Sequence, residues 1–158
     1  MTKWKQSAKG AKQIPGGLGR NHTGSSAPKS QSKKPKVIQV NLTLQIVEAY
    51  EGSTRIFQFE CVTGDKDHPT DCGVFRILRK SHPYRSHTYN VQMNYAMFFT
   101  HDGKALHQYH GIVPLSIVRT ARSNVSEWFG SHGCVRLAEA DAKTLYEWSS
   151  VGTTVKVS

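Results

Sequence analysis

MFFTHDGKALHQYH, Met97 to His110, reads as two strands folded about a turn. Apolar residues run into His101-Asp102-Gly103, and Asp-Gly is a strong hairpin signal. Lys104 to His110 is then the returning strand. Upstream, Tyr89 to Thr100 is strand-rich throughout. Positions 38, 40, 42, 44 and 46 are Ile, Val, Leu, Leu and Ile with polar residues between most of them, which predicts one half-buried strand beginning near Val37. Glu51-Gly52 marks a turn, and Thr54 to Val62 alternates again, with Ile56 and Phe59 expected in the core. Residues 64–73 (GDKDHPTDCG) read as a polar loop, Val74 to Leu78 as a strand, and Ser81 to His87 as a loop around Pro83. Pro114 suits the first turn of a short helix. Ala138 to Ser149 predicts a better one, with acids early, Leu145 and Trp148 on one face and Gly152 as a stop. Thr153 to Val157 is a last strand. Six or so short strands with one or two short helices make a mainly β domain, a sandwich or barrel-like sheet pair.

The chain has 158 residues, the size of one domain with a real core. Its net charge of +10 is unevenly spread. Residues 1–36 carry nine Lys or Arg and no acid, whereas residues 37–158 carry twelve basic and eleven acidic groups. The expected organisation is therefore a disordered cationic tail over 1–36 and a nearly neutral domain over 37–158. The tail is rich in Gly, Ser, Pro, Gln and Lys, which bury too little apolar surface to offset ordering entropy. Such a tail attracts polyanions such as an anionic wall polymer or lipid, without specifying a nucleic acid; a solvated arm with no partner is the plain alternative. No apolar run approaches the ~20 residues that span a bilayer, and the basic N-terminus lacks the apolar segment of a secretory signal. Three cysteines, Cys61, Cys72 and Cys134, argue against a pure disulfide framework. Cys61 and Cys72 either pair or stay reduced, one in a strand and one in a turn.

GSHGCVRL, Gly130 to Leu137, gathers reactive groups in one run. A cysteine attacks as thiolate, so it needs a base or a positive field beside it. His132 lies two residues upstream of Cys134, and His107 and His110 lie on the preceding strand. Gly133 lets the backbone approach a carbonyl, so amides near Gly133 and Cys134 can serve an oxyanion. Arg136 offers a planar fork for a carboxylate. Nucleophile, base, oxyanion donors and carboxylate anchor together suit acyl transfer to cysteine. A zinc site is a weaker reading, because paired C-x-x-C or H-x-x-x-H spacings are absent. A buried structural cysteine is the bland one.

SHGCVRL, preceded by MFFTHDGKALH, resembles the active-site signature of the L,D-transpeptidase family, the YkuD-type domain. VTGDKDHPTDCGVFRI, MNYAMFF and the closing DAKTLYEWSSVGTTVKV resemble further segments of that family, so the likeness covers about residues 37–158. It implies a YkuD-like β-sandwich. It implies Cys134, His107 and His132 as the catalytic set, with His110 as the alternative base, and Ser131, Gly133 and Arg136 as substrate-binding residues. Two departures stand out. Asn94 replaces the family's usual proline. His107 is followed by Gln108, whereas His110 is followed by the Gly that the family prefers; strand register favours His107, since His110 lies an odd number of residues away and faces the other side. Gly111 to Gly130 is then expected to be an enlarged loop, with Trp128 and Phe129 near the site or simply in the core.

The resemblance implies a donor substrate, the peptidoglycan stem tetrapeptide. Cys134 attacks the carbonyl of its third residue, terminal D-Ala leaves, and the thioester passes to a stem amine, a D-amino acid or water. No metal or organic cofactor is implied. The substrate lies in the periplasm or cell envelope. A small wall enzyme without a recognisable signal peptide suits an antibacterial effector carried by a secretion machine and answered by an immunity protein. The reading from another class is a non-catalytic module that binds wall peptides or polyanions. A papain-like peptidase fits less well, because its cysteine precedes its histidine in the chain.

Overall fold

The computed structural model describes residues 33–124 and 131–158. The expected tail over 1–36 falls almost wholly outside them, as do Trp128, Phe129 and Gly130. Eleven strands and two helices follow in the order β1 Lys36–Asn41, β2 Ile46–Glu51, β3 Thr54–Val62, β4 Gly73–Arg76, β5 Arg79–Ser81, β6 Arg85–Ser86, β7 Val91–Gln92, β8 Ala96–Phe98, β9 Ala105–Gln108, α1 Leu115–Asn124, β10 Val135–Leu137, α2 Glu139–Trp148 and β11 Thr154–Val157.

Nine strands form one sheet in the order β4-β11-β1-β2-β3-β10-β9-β8-β5, and β6 and β7 make a separate hairpin. The two outermost strands, β4 and β5, are consecutive in the chain, with only Ile77 and Leu78 between them. The Ile77 amide donates to Thr153 O at 2.9 Å, and the Leu78 amide donates to Phe98 O at 2.7 Å. Adjacent residues thus reach the two ends of the sheet, which curls until both halves face one core. Ile38, Val47, Val155, Met97, Leu106 and Leu137, drawn from both halves, are fully buried in a single cluster. The two layers of the expected sandwich are therefore two halves of one sheet.

Several local expectations change. The alternation from 38 to 46 is not one strand but β1, a turn and β2. Asn41 Oδ1 accepts from the Leu44 amide at 2.8 Å, Gln45 adopts φ +54°, and Leu44 is exposed. An Asx turn of this kind can reverse the chain without glycine, so hydrophobic period alone cannot see it. In β3 the inward residues are Phe57, Phe59 and Cys61, while Ile56 is exposed. Ile56 and Phe59 differ by an odd number of residues and cannot share a strand face. Strands are more numerous than six because several have only two to four residues, too short to show a period. The short helix expected to open at Pro114 is present as the ten-residue α1, within the stretch 111–130 expected as an enlarged loop. Cys61 is buried and Cys72 exposed, and both are free thiols.

α2 buries Ala142 and Leu145, with Trp148 edge-on to Phe57 at 6.1 Å. Its C-terminal carbonyls are capped by two lysines. Lys80 donates to Tyr146 O and, at 2.8 Å, to Ser149 O; Lys36 donates to Trp148 O at 2.6 Å. Cations stabilise this end of a helix by meeting its unpaired carbonyls. Lys80→Met is expected to destabilise the fold by about 2 kcal/mol, read as a lower urea midpoint with an unchanged m-value.

Candidate active site

β9 and β10 run parallel, with Val135 beside Leu106 and Arg136 beside His107. Val135 and Leu106 point into the main core. Side chains alternate along a strand, so Cys134 and Arg136, with Ala105 and His107, point to the opposite face. A smaller apolar cluster lies there, formed by Met93, Ala96, Phe98 and Ala105, with Tyr84 and Cys134 packed on it. Extending the register by one residue sets Cys134 beside Ala105, and His107 is its diagonal neighbour. Strand geometry puts that diagonal at roughly 8 Å between Cα atoms, and both side chains line the same cavity.

This face forms one wall of a cavity of about 700 Å³. Cys134, His107, Ser131, His132 and Arg136 all line it. His110 does not: it is exposed, two residues beyond the end of β9. Gly133 is buried just behind the wall.

The His107 ring is buried, and Nδ1 lies 2.7 Å from Gln108 O. A carbonyl only accepts, so Nδ1 carries the proton and Nε2 of the neutral ring holds the free lone pair. Burial lowers its pKa from 6.5 to about 4, against the favourable Gln108 contact. Burial also raises the Cys134 thiol above its ordinary value; a backbone hydrogen bond from Ala105 and the charges of Arg136 and Lys104 oppose that rise only in part. Both shifts favour a neutral thiol and a neutral imidazole at neutral pH, rather than the ionised cysteine anticipated from the sequence. In a Cys72→Ser background, iodoacetamide labelling of Cys134 is therefore expected to climb through an inflection above the ordinary thiol pKa; an inflection below pH 7 would contradict this.

The SHGC loop is tied down from behind. Ser131 Oγ donates to Cys134 O, and Ser131 pairs with Gly64 and hydrogen-bonds Thr63 and Asp65. Thr70, almost fully buried, accepts from the Gly64 amide and donates to Gly133 O, both at 2.9 Å. In a trans peptide the C=O and the following N–H point opposite ways. Holding Gly133 O against Thr70 therefore turns the Cys134 amide the other way, the orientation an oxyanion donor needs. Gly133 has φ +91°, and a Cβ there would meet Lys104 Cε at 2.5 Å, so this position admits only glycine without rearrangement. Lys104 in turn is held by Asp71 at 2.6 Å and Asp102 at 3.0 Å.

His132 is exposed at the mouth, between the Tyr89 ring (5.1 Å) and the His68 ring (4.6 Å). It therefore edges the cavity instead of supplying the buried base. Thr70, Lys104 and Tyr89 were not singled out from the sequence. Only the Pro69-Thr70 pair within the family-like loop carried any signal, because the other contacts join residues far apart in the chain.

Residues 35–157 match the family model YkuD, the L,D-transpeptidase catalytic domain. Among solved structures, the L,D-transpeptidase from Stackebrandtia nassauensis is 31% identical, with a TM-score of 0.67 over 85% of this chain and 61% of that one. An L,D-transpeptidase from Xylanimonas cellulosilytica (23% identity, TM-score 0.64, 84% of this chain and 64% of that one) shares the fold. So does a Cys-to-Ser mutant of the Enterococcus faecium L,D-transpeptidase (22%, 0.65, 80% and 50%). The chain spans less than two thirds of the length of each. No curated protein matches it. The family match over 35–157, carried by a fold that brings Cys134 and His107 to one cavity, establishes that the chain belongs to the YkuD family of L,D-transpeptidase catalytic domains.

Proposed function

We propose that this domain is a cysteine acyltransferase of the L,D-transpeptidase type, acting on peptidoglycan stem tetrapeptides in the cell envelope. The observation that carries the reading is the placement of Cys134 and His107 on one face of adjacent strands, in one cavity, within a chain of this family. His107 Nε2 takes the Cys134 proton as Sγ attacks the carbonyl of the stem's third residue. The oxyanion forms against the Cys134 amide. The C–N bond to terminal D-Ala then breaks, and His107 returns the proton to the departing amine. The thioester is transferred to an amine acceptor or to water, with His107 again moving the proton. Ser131, Thr70 and Gly133 hold the loop in place. Arg136, its guanidinium 5.3 Å from the Tyr109 ring, faces the cavity and is suited to a substrate carboxylate.

Incubating the protein with purified stem tetrapeptide tests the reading. Release of D-Ala with formation of tripeptide, exchange product or crosslinked dimer is expected, and the product identifies the acceptor. Stem recovered intact, with the folded protein bound to it, would favour a binding module instead. Periplasmic action predicts that the protein directed to the periplasm of a susceptible bacterium slows growth, and that Cys134→Ala does not; equal harm from both would contradict it.

A further inference from the structure

We infer that Arg79 is a substrate-binding residue that receives a second carboxylate of the donor stem, so that the enzyme selects acidic stems over amidated ones. This deepens the proposed function and rests on it.

Cys134, Ala105, Phe98 and Arg79 form a row straight across four adjacent strands. Extending the register of β9 with β10 by one residue sets Cys134, just before β10, beside Ala105; Ala105 pairs with Phe98, and Phe98 pairs with Arg79. With strands ~4.8 Å apart, the ends of the row lie roughly 14 Å apart at the backbone. Arg79 does not extend away from the site. Its guanidinium carbon lies 3.4 Å from the Phe98 ring centroid and 5.3 Å from that of Tyr84. Stacking on Phe98 draws the cation back by about one strand, to roughly 10 Å from the Cys134 backbone.

A guanidinium stacked on a ring is held by its flat face, which leaves its in-plane N–H fork available. Among the described residues no carboxylate pairs with Arg79. The nearby acids Asp71 and Asp102 are already engaged by Lys104. Arg79 is exposed, yet it lines the same cavity as Cys134. A positioned cation with no carboxylate partner among the described residues, inside the cavity of the nucleophile, is suited to an anion that arrives with the ligand. Donor stems carry one at the right reach. A diamino diacid in third place has a carboxylate at the end of its side chain, and the preceding residue has one when it is not amidated. Ordinary bond lengths place either at roughly 8 Å from the reacting carbonyl in an extended stem.

Four matched tetrapeptides test this, with each of those two carboxylates free or amidated. They are compared on wild type, Arg79→Gln and Arg79→Lys, all checked for an unchanged melting curve. KM and kcat are read from D-Ala release, and affinity is read by calorimetry in a Cys134→Ala background. Amidating the recognised carboxylate is expected to raise KM about 10- to 100-fold, the range for a charge-assisted hydrogen bond, with kcat changed by less than about threefold. Arg79→Gln should raise KM for the acidic stem by the same factor and abolish discrimination, and Arg79→Lys should recover part of both. The amidation that is felt identifies the carboxylate. Equal KM for all four stems in wild type, or undiminished discrimination in Arg79→Gln, overturns the inference. Absence of D-Ala release from every stem would refute the proposed function alone. The binding arm still judges Arg79: discrimination lost on Arg79→Gln supports its role, and no discrimination at all overturns it.

Discussion

Replacing His107 with Gln is expected to slow thioester formation by about 10³-fold, within the span of general-base effects, while the fold survives. Gln is close in size and can keep a donor towards Gln108 O, but it has no lone pair of imidazole basicity for the thiol proton. The pH behaviour makes the prediction specific. With a ring pKa of about 4, the base is already neutral through the whole range above pH 5, so the acid limb of kcat/KM should fall near 4 rather than near 6.5. Stability is linked to the same group. The unfolded ring protonates below 6.5, whereas the folded ring does so only near 4. Between these values the unfolded state binds the extra proton, so stability falls as pH drops through that window and levels off below it. The difference is about 3 kcal/mol for the wild type. Urea midpoints from pH 7 to 4 check this, and His107→Gln should flatten most of the slope. His110, exposed and outside the cavity, should tolerate the same substitution with less than about a threefold change, against the ~10²-fold or more that loss of a general base costs.

Cys134→Ala is expected to abolish D-Ala release, a loss of at least about 10⁴-fold, because covalent catalysis has no substitute atom there. The cost to stability should be small, on the order of 1 kcal/mol, since one partly accessible sulfur leaves a small apolar cluster. Serine should not rescue the rate. A ring as weakly basic as His107 can assist a thiol but is far from matched to a hydroxyl. Stem-peptide affinity measured by calorimetry should stay within about threefold in the alanine variant, for the sulfur supplies reaction rather than binding energy.

The residues of the candidate site were largely legible in the chain. The strand carrying Ala105-Leu106-His107 and the SHGC loop each show their chemistry locally, and β3, α2 and β11 lie within a residue or so of where periodicity and caps put them. What stayed hidden depends on distance. The turn at Leu42 to Gln45 lacks glycine or proline, so apolar alternation runs straight through it. The closure of the sheet rests on two residues, Ile77 and Leu78, each bonded to a different end. Thr70 under Gly133 and Arg79 over Phe98 arise from pairing between segments, and nothing local marks either. The depth of His107 likewise comes from its neighbours' packing, which is why a lowered ring pKa was not foreseen.

Intact-protein mass spectrometry on the wild type mixed with excess donor tetrapeptide tests the central claim most directly. The predicted result is a transient gain equal to the stem minus D-Ala, mapped by proteolysis to Cys134 and removed by hydroxylamine. D-Ala release with no adduct on Cys134, or an adduct that persists in Cys134→Ala, would contradict the account.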